Sequence, residues 1–179
     1  MVSAHERALL RERDVKVCHC PFSNCRKRSS GDTALLEDGI CVGLGTDGAA
    51  HGGLSLWNEM KIFRSVMNVK HGVAQSNPAI MLAAQIISMA TKEGYRLMKE
   101  EGGVIAEGKK ADFITINTMQ SHLYPTGNLV NTLLECVTAS DVCDMAVDGR
   151  LLMKDREVLT LDEEKILYEA MKYMEELEA

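Results

Sequence analysis

Apolar residues in the first hundred positions fall into two rhythms. Two short runs, "VKVCH" at 15–19 and "ICVGLGT" at 40–46, are apolar on both faces, whereas the stretches around them bring apolar residues back every three or four positions. The first rhythm predicts parallel strands covered by helices, the second amphipathic helices. Ser3 followed by Glu6 forms a capping-box pattern, and Ala8, Leu9 and Leu10 carry a short helix to near Arg13. Between the strands, "CPFSNCRKRSSG" predicts a loop, and "DTALLEDG" a short helix capped by Asp32 and closed by Gly39. Residues 55–70, "SLWNEMKIFRSVMNVK", place Leu56, Met60, Phe63, Val66 and Met67 on one helical face, which reads as core. Ser76 with Pro78 predicts the start of a further helical stretch running to about Met98.

The rhythm changes after "EEGG". "VIAEGKKADFITIN" predicts a turn into an extended segment, and "CDMAVDGRLLMKDREVLT" two extended runs joined by Asp148-Gly149, a hairpin signal. Thr160 with Glu163 offers a second capping box for a closing helix, whose Ile166, Leu167, Ala170 and Met174 are expected to face the body. The chain is therefore expected to be α/β in its first part and antiparallel in its second, without internal repeats.

Composition narrows the function classes. The 179 residues are 46% hydrophobic, enough for a sizeable core, and carry a net charge of −6 with acids and bases interleaved. That leaves no basic face for a phosphate backbone, so no nucleic-acid partner is expected. No apolar run is long enough to span a bilayer, and "MVSAHERALLRERD" lacks the apolar core of a signal peptide, so no membrane partner and a cytoplasmic location are expected. In that setting the six cysteines, at 18, 20, 25, 41, 136 and 143, read as reduced thiols.

One residue stands out as candidate chemistry. Asp47 ends the apolar run "VGLGTDGAA", at the C-terminal mouth of the predicted strand, where α/β folds place their reactions. Such a carboxylate suits a metal ligand or a base, and it equally suits a cap on the following loop. "VCHCPFSNC" invites a zinc reading, but its spacing is not that of paired zinc ligands. Cys18 and Cys20 are also expected to point to opposite faces of the strand. His5, His71 and His122 form no i, i+4 pair and read as solvated, and glycines 43, 45 and 48 complete no phosphate-binding motif.

Three segments in order, "VCHCPFSN", "VGLGTDGAA" and "GVIAEGKKADFITIN", resemble the C-terminal part of a metal-dependent amidohydrolase of the chlorohydrolase and nucleoside-deaminase branch. "GTDGAA" is most similar to the 5-methylthioadenosine/S-adenosylhomocysteine deaminases. The resemblance implies the last two strands and helices of a (β/α)8 barrel of TIM type, plus part of a small β-sandwich domain and a C-terminal helix. Residues 1–100 would be the barrel portion and 101–179 part of the accessory β domain with its closing helix. It implies that Asp47 is both metal ligand and catalytic proton carrier, with Gly48, Ala49 and His51 beside the substrate. The implied cofactor is a divalent metal, zinc before iron or manganese, and the implied reaction is deamination of an adenosine-like nucleoside by metal-activated water.

Two departures bear on the pocket: the segment from Ser23 to Leu35 is rearranged, and His51 stands where the family has a small polar residue. The family's His-x-His, its further histidines and its catalytic Glu lie upstream of the segments matched here. The resemblance thus leads to the expectation of a fragment that is inactive and retains no metal alone. It is expected to self-associate or to pair with a chain supplying the missing strands. A truncated or repurposed non-catalytic domain and a chlorohydrolase-type enzyme are the alternatives.

Overall fold

A computed structural model describes residues 2–27, 33–51 and 53–178, with only the backbone described at His51 and Glu178. Helix α1, Ala4–Glu12, opens on the expected capping box: Glu6 N–H donates to Ser3 Oγ at 3.3 Å and Ser3 N–H to Glu6 Oε2 at 2.7 Å. It leads into β1, Val17–His19, which pairs in parallel with β2, Val42–Leu44, in the register Val17 to Val42 and His19 to Leu44. Between them lie α2, Pro21–Arg26, and α3, Ala34–Glu37. The expected cap at Asp32 lies outside the described residues.

Helix α2 occupies part of the segment expected to be a loop. Pro21 sits at its first position, where a missing N–H costs nothing, and Cys20 N–H is satisfied by the Asn24 side chain at 3.1 Å. The cap therefore comes from inside the helix and leaves no Ser, Thr or Asp signal in front of it.

A 3₁₀ turn, Ala49–His51, follows β2, and then α4, Leu56–Met67. Ser55 caps α4, accepting Asn58 N–H. The helix does not stop near residue 70 as expected. It passes through a π-helical turn, Asn68–Gly72, into α5, Val73–Gln75. His71, expected to be solvated, is half-buried in that turn.

Ser76 and Pro78 do not open a helix. Ser76 takes a left-handed conformation (φ +51°), Asn77 N–H returns to Gly72 O, and Asn77 Oδ1 accepts Ala79 N–H, so these residues form a turn. The helical stretch begins later, as α6, Ala83–Ala90, and breaks at Thr91 before α7, Lys92–Met98. At the break Thr91 Oγ1 donates to Ile87 O, an i−4 bond that bends helices.

Val42, Leu44, Met60, Phe63, Met67, Met81, Ile86, Met89 and Leu134 form the core around the parallel pair, so the stripe on α4 is core as expected. Gly43 makes that packing possible, because a Cβ there would lie 2.3 Å from Leu97 Cδ1 and 3.4 Å from the Gly94 backbone of α7.

The second half builds a four-stranded antiparallel sheet in the order β3 (Phe113–Ile116), β4 (Val142–Val147), β5 (Arg150–Lys154), β6 (Glu157–Val158). Asp148 (φ +51°) and Gly149 (φ +74°) make the expected two-residue hairpin, with Val147 opposite Arg150. A second such turn at Asp155 and Arg156, both at positive φ, adds β6, which the alternation does not reveal.

Helix α8, Leu129–Glu135, ties this half to α4. Trp57 Nε1–H donates to Leu133 O (2.9 Å), Lys61 Nζ to Val137 O (3.0 Å), and Arg64 pairs with Glu135 (2.7 Å). A largely apolar cavity of about 650 Å³ separates the helices from the sheet, lined by Trp57, Ile87, Tyr95, Val104, Phe113 and Met145 among others.

Helix α9, Glu163–Glu178, corrects two expectations. Its N-cap is Asp162, whose Oδ1 accepts Lys165 N–H at 3.0 Å, rather than Thr160. Its apolar face does not meet the body: Ile166, Leu167, Ala170 and Met174 are all exposed.

Candidate functional site

Chain geometry delivers Asp47 to the C-terminal end of β2, three residues beyond Leu44, in a left-handed conformation (φ +60°). Its Oδ1 accepts Gly48 N–H at 2.8 Å. Its Oδ2 accepts Ser23 Oγ–H at 2.6 Å and lies 3.3 Å from Lys27 Nζ. The Ser23 hydroxyl, then the Gly48 N–H and the Lys27 ammonium, hold the Asp47 carboxyl down at about 2. The group is ionised throughout the neutral range.

The other expected site residues are less engaged. Gly48 contributes its backbone N–H to Asp47, and Ala49, exposed, opens the 3₁₀ turn. The His51 side chain lies outside the described residues.

Sequence reasoning missed Ser23 on α2 and Lys27 at its C-terminal cap, whose side chains engage Asp47. Ser23 is buried at 1% exposure. Polar burial of this kind leaves no periodic signal, and only its place in "PFSN" marks it. Helix α2 is itself pinned from below, because Phe22 N–H donates to Glu59 Oε2 on α4 at 2.8 Å. Glu59 is 3% exposed, and burial raises its carboxyl, partly opposed by the Phe22 bond. Nearby, His19 packs edge-on against Phe63 with ring centroids 5.5 Å apart. Burial lowers the His19 pKa, opposed by a hydrogen bond with Asn24, which favours the neutral imidazole.

Cys18 and Cys20 do not point to opposite faces. Residues two apart on an extended backbone share a face, and Cys20 (φ −114°, ψ 85°), just past the end of β1 at His19, is still extended. Both thiols consequently flank Gly45, and they contact each other.

Away from this end, Asp141 is buried and accepts Thr138 N–H (2.8 Å), Thr138 Oγ1–H (3.0 Å) and a bond with His122 Nε2 (3.1 Å). Burial pushes its carboxyl up, but these bonds outweigh burial and hold it below the usual range. The cluster closes the turn before β4, so His122 has a partner in Asp141 despite its exposure.

An ionised carboxylate at the C-terminal end of a parallel strand, with helices packed around it, stands where α/β folds place their reactions. The chain belongs to the amidohydrolase family, which matches it over residues 1–157. Among its relatives is the 5-methylthioadenosine/S-adenosylhomocysteine deaminase of Dictyoglomus thermophilum, 41% identical over 98% of this chain and 41% of the relative. Another is the 5'-deoxyadenosine deaminase of Methanosarcina mazei, 39% identical over 96% of this chain and 39% of the relative. The chain thus spans about two fifths of the length of these relatives.

Solved structures share this mixed α/β fold over about two fifths of their length. An adenosine deaminase from Xanthomonas campestris with bound zinc superposes with a TM-score of 0.89 at 23% identity, over 99% of this chain and 41% of that one. A zinc-complexed atrazine chlorohydrolase from Arthrobacter aurescens gives 0.82 at 20% identity, over 96% and 38%. No helix among the described residues is long and apolar enough to cross a membrane.

Catalytic zinc takes about three protein ligands and keeps a further position open. Among the described residues no three His, Cys, Asp or Glu side chains converge in that way, and both Asp47 oxygens already accept hydrogen bonds. These residues offer one candidate ligand, and by themselves they do not fit a catalytic metal.

Proposed function

We propose that this chain is the Asp47-bearing portion of a metal-dependent hydrolase that deaminates adenosine-like nucleosides of the 5-methylthioadenosine/S-adenosylhomocysteine type. The observation that carries this reading is Asp47 itself, ionised and held by Ser23 at the mouth of β2. The names and 39–41% identity of the two deaminase relatives support the substrate class. In this reading residues 1–100 are the last two strand–helix units of a (β/α)8 barrel, and 101–179 part of an accessory β domain. The location is cytoplasmic.

Asp47 is assigned as metal ligand and proton carrier, with Gly48, Ala49 and His51 beside the substrate. A carboxylate held at about 2 is well suited to remain ionised as a ligand and is a weak base at neutral pH. Carrying a proton requires the Ser23 and Lys27 bonds to be redistributed. In this reading Asp47 would be one ligand of a zinc ion whose bound water would be activated once the full ligand set is present. The ligands other than Asp47 come from outside the described residues, whether from a separate polypeptide or a longer chain.

A second reading, that the isolated chain is a non-catalytic domain, draws on the lack of a three-ligand cluster among the described residues. One experiment separates the two. The chain is mixed with a polypeptide covering the remaining part of a deaminase relative, with zinc, and ammonia release from 5'-methylthioadenosine is followed. Turnover that disappears in Asp47→Asn supports the deaminase reading, and no turnover under any pairing supports the non-catalytic one. Dechlorination of an s-triazine without nucleoside turnover overturns the substrate assignment.

A further inference from the structure

The cysteines at the end of β1 form a pair that the proposed reaction does not use. An ideal Cβ built on Gly45 would lie 2.7 Å from Cys18 Sγ and 3.2 Å from Cys20 Sγ, so both sulfurs crowd one point beside the backbone that leads to Asp47. The thiols contact each other, and the Asp47 backbone hydrogen-bonds the Cys20 sulfur. Cys18 is exposed and Cys20 half-buried, so the pair is reachable from solvent.

The remaining thiols are placed differently. Cys41 is buried with its Sγ against Glu93 O at 3.8 Å, and its thiol is pushed up to about 11, chiefly by burial. Cys143 faces Asp141 O, and Cys25 is half-buried within α2.

We propose that Cys18 and Cys20 form a vicinal dithiol clamp for a thiophilic centre that takes two thiolates, a trivalent arsenical being the type case. Two soft sulfur donors held side by side match such a centre, whereas hard cations prefer oxygen. Strand alternation places residues two apart on one face, and here it brings both thiols to the same side of Gly45. The absence of a side chain on Gly45 leaves the space between strand and sulfurs in which they meet. With a monoaryl arsine oxide the step balances simply. Two As–S bonds form, the As=O bond breaks, and its oxygen leaves as water with the two thiol protons, without any change of oxidation state.

The test uses the reduced full chain and phenylarsine oxide. The expected product is a one-to-one adduct by intact mass, with two of the six thiols lost to alkylation, stable to a monothiol wash and reversed by a dithiol. Alkylation of the adduct followed by digestion should leave Cys18 and Cys20 unmodified and the other four labelled. This mapping is done on the unsubstituted chain and needs no variant to fold. Cys18→Ser and Cys20→Ser should each abolish the retained adduct, and Cys25→Ser should keep it. Failure to form a wash-stable adduct, protection of any other pair, or retention in Cys18→Ser overturns the proposal.

Discussion

Ser23 Oγ donates to Asp47 Oδ2 across 2.6 Å, joining the buried side of α2 to the exposed end of β2. The bond is the largest contributor to the low pKa of Asp47. Ser23→Ala is therefore expected to raise the Asp47 pKa from about 2 toward its ordinary value of 3.8. Because the folded-state value is depressed, the associated stability is fully present above the unfolded value and is lost as pH falls through the folded one. The stability gap between wild type and Ser23→Ala should thus shrink as pH drops from about 4 to 2. Carboxyl NMR titration and acid unfolding of both proteins check this.

Glu59 is expected to separate two kinds of loss. Glu59→Gln keeps an acceptor for Phe22 N–H and removes a buried charge, so its stability at neutral pH should equal or exceed wild type. Glu59→Ala leaves that N–H without its acceptor and should cost about 1–3 kcal/mol. The raised pKa has the opposite sign from that of Asp47: ionising Glu59 at neutral pH works against folding, so the advantage of Gln should fade as pH drops and Glu59 protonates. Urea titrations at neutral and mildly acidic pH give the comparison.

Ile86 is fully buried in α6, within the core that packs on β2. Ile86→Ala should destabilise by about 2–5 kcal/mol through lost transfer energy and a residual cavity. A smaller loss in urea denaturation would indicate that the helix layer packs differently against the parallel pair.

For α9 the expected effect is local. Asp162→Ala removes the bond from Lys165 N–H, and the exposed helix has little packing to compensate. Hydrogen exchange should show faster exchange in the first turns of α9, with amides of β2 and α4 unchanged. Equal loss of protection in both regions would mean that α9 is coupled to the core.

Local signals read well where a residue's own chemistry set the backbone. Ser3 with Glu6 located the first helix, Asp148-Gly149 the hairpin, and consecutive apolar positions the parallel pair. Reading failed where a distant group, or a competing one close by, decided. Helix α2 depends on Asn24 and Glu59 acting on its first turn, so nothing in front of Pro21 announces it. Ser76-Pro78 imitates a helix start, but Asn77 closes a turn there first. In α9 two caps compete two residues apart, and Asp162 prevails over Thr160. At the site, the mouth of β2 pointed to Asp47, whereas the partnership with Ser23 spans 24 positions and appears only once α2 is placed.

The backbone at Asp47 is built the way a glycine is usually asked to build it. Most L residues resist a positive φ, and aspartate accepts it more readily because its short side chain can bond its own neighbouring backbone, as Oδ1 does with Gly48 N–H. The same hydrogen bond that eases the conformation thus occupies one face of the carboxylate and turns the other toward Ser23 and Lys27. Conformation and charge are coupled at this residue. A replacement by glycine would relax the turn but leave nothing to present, and one by asparagine would keep the turn and surrender the charge.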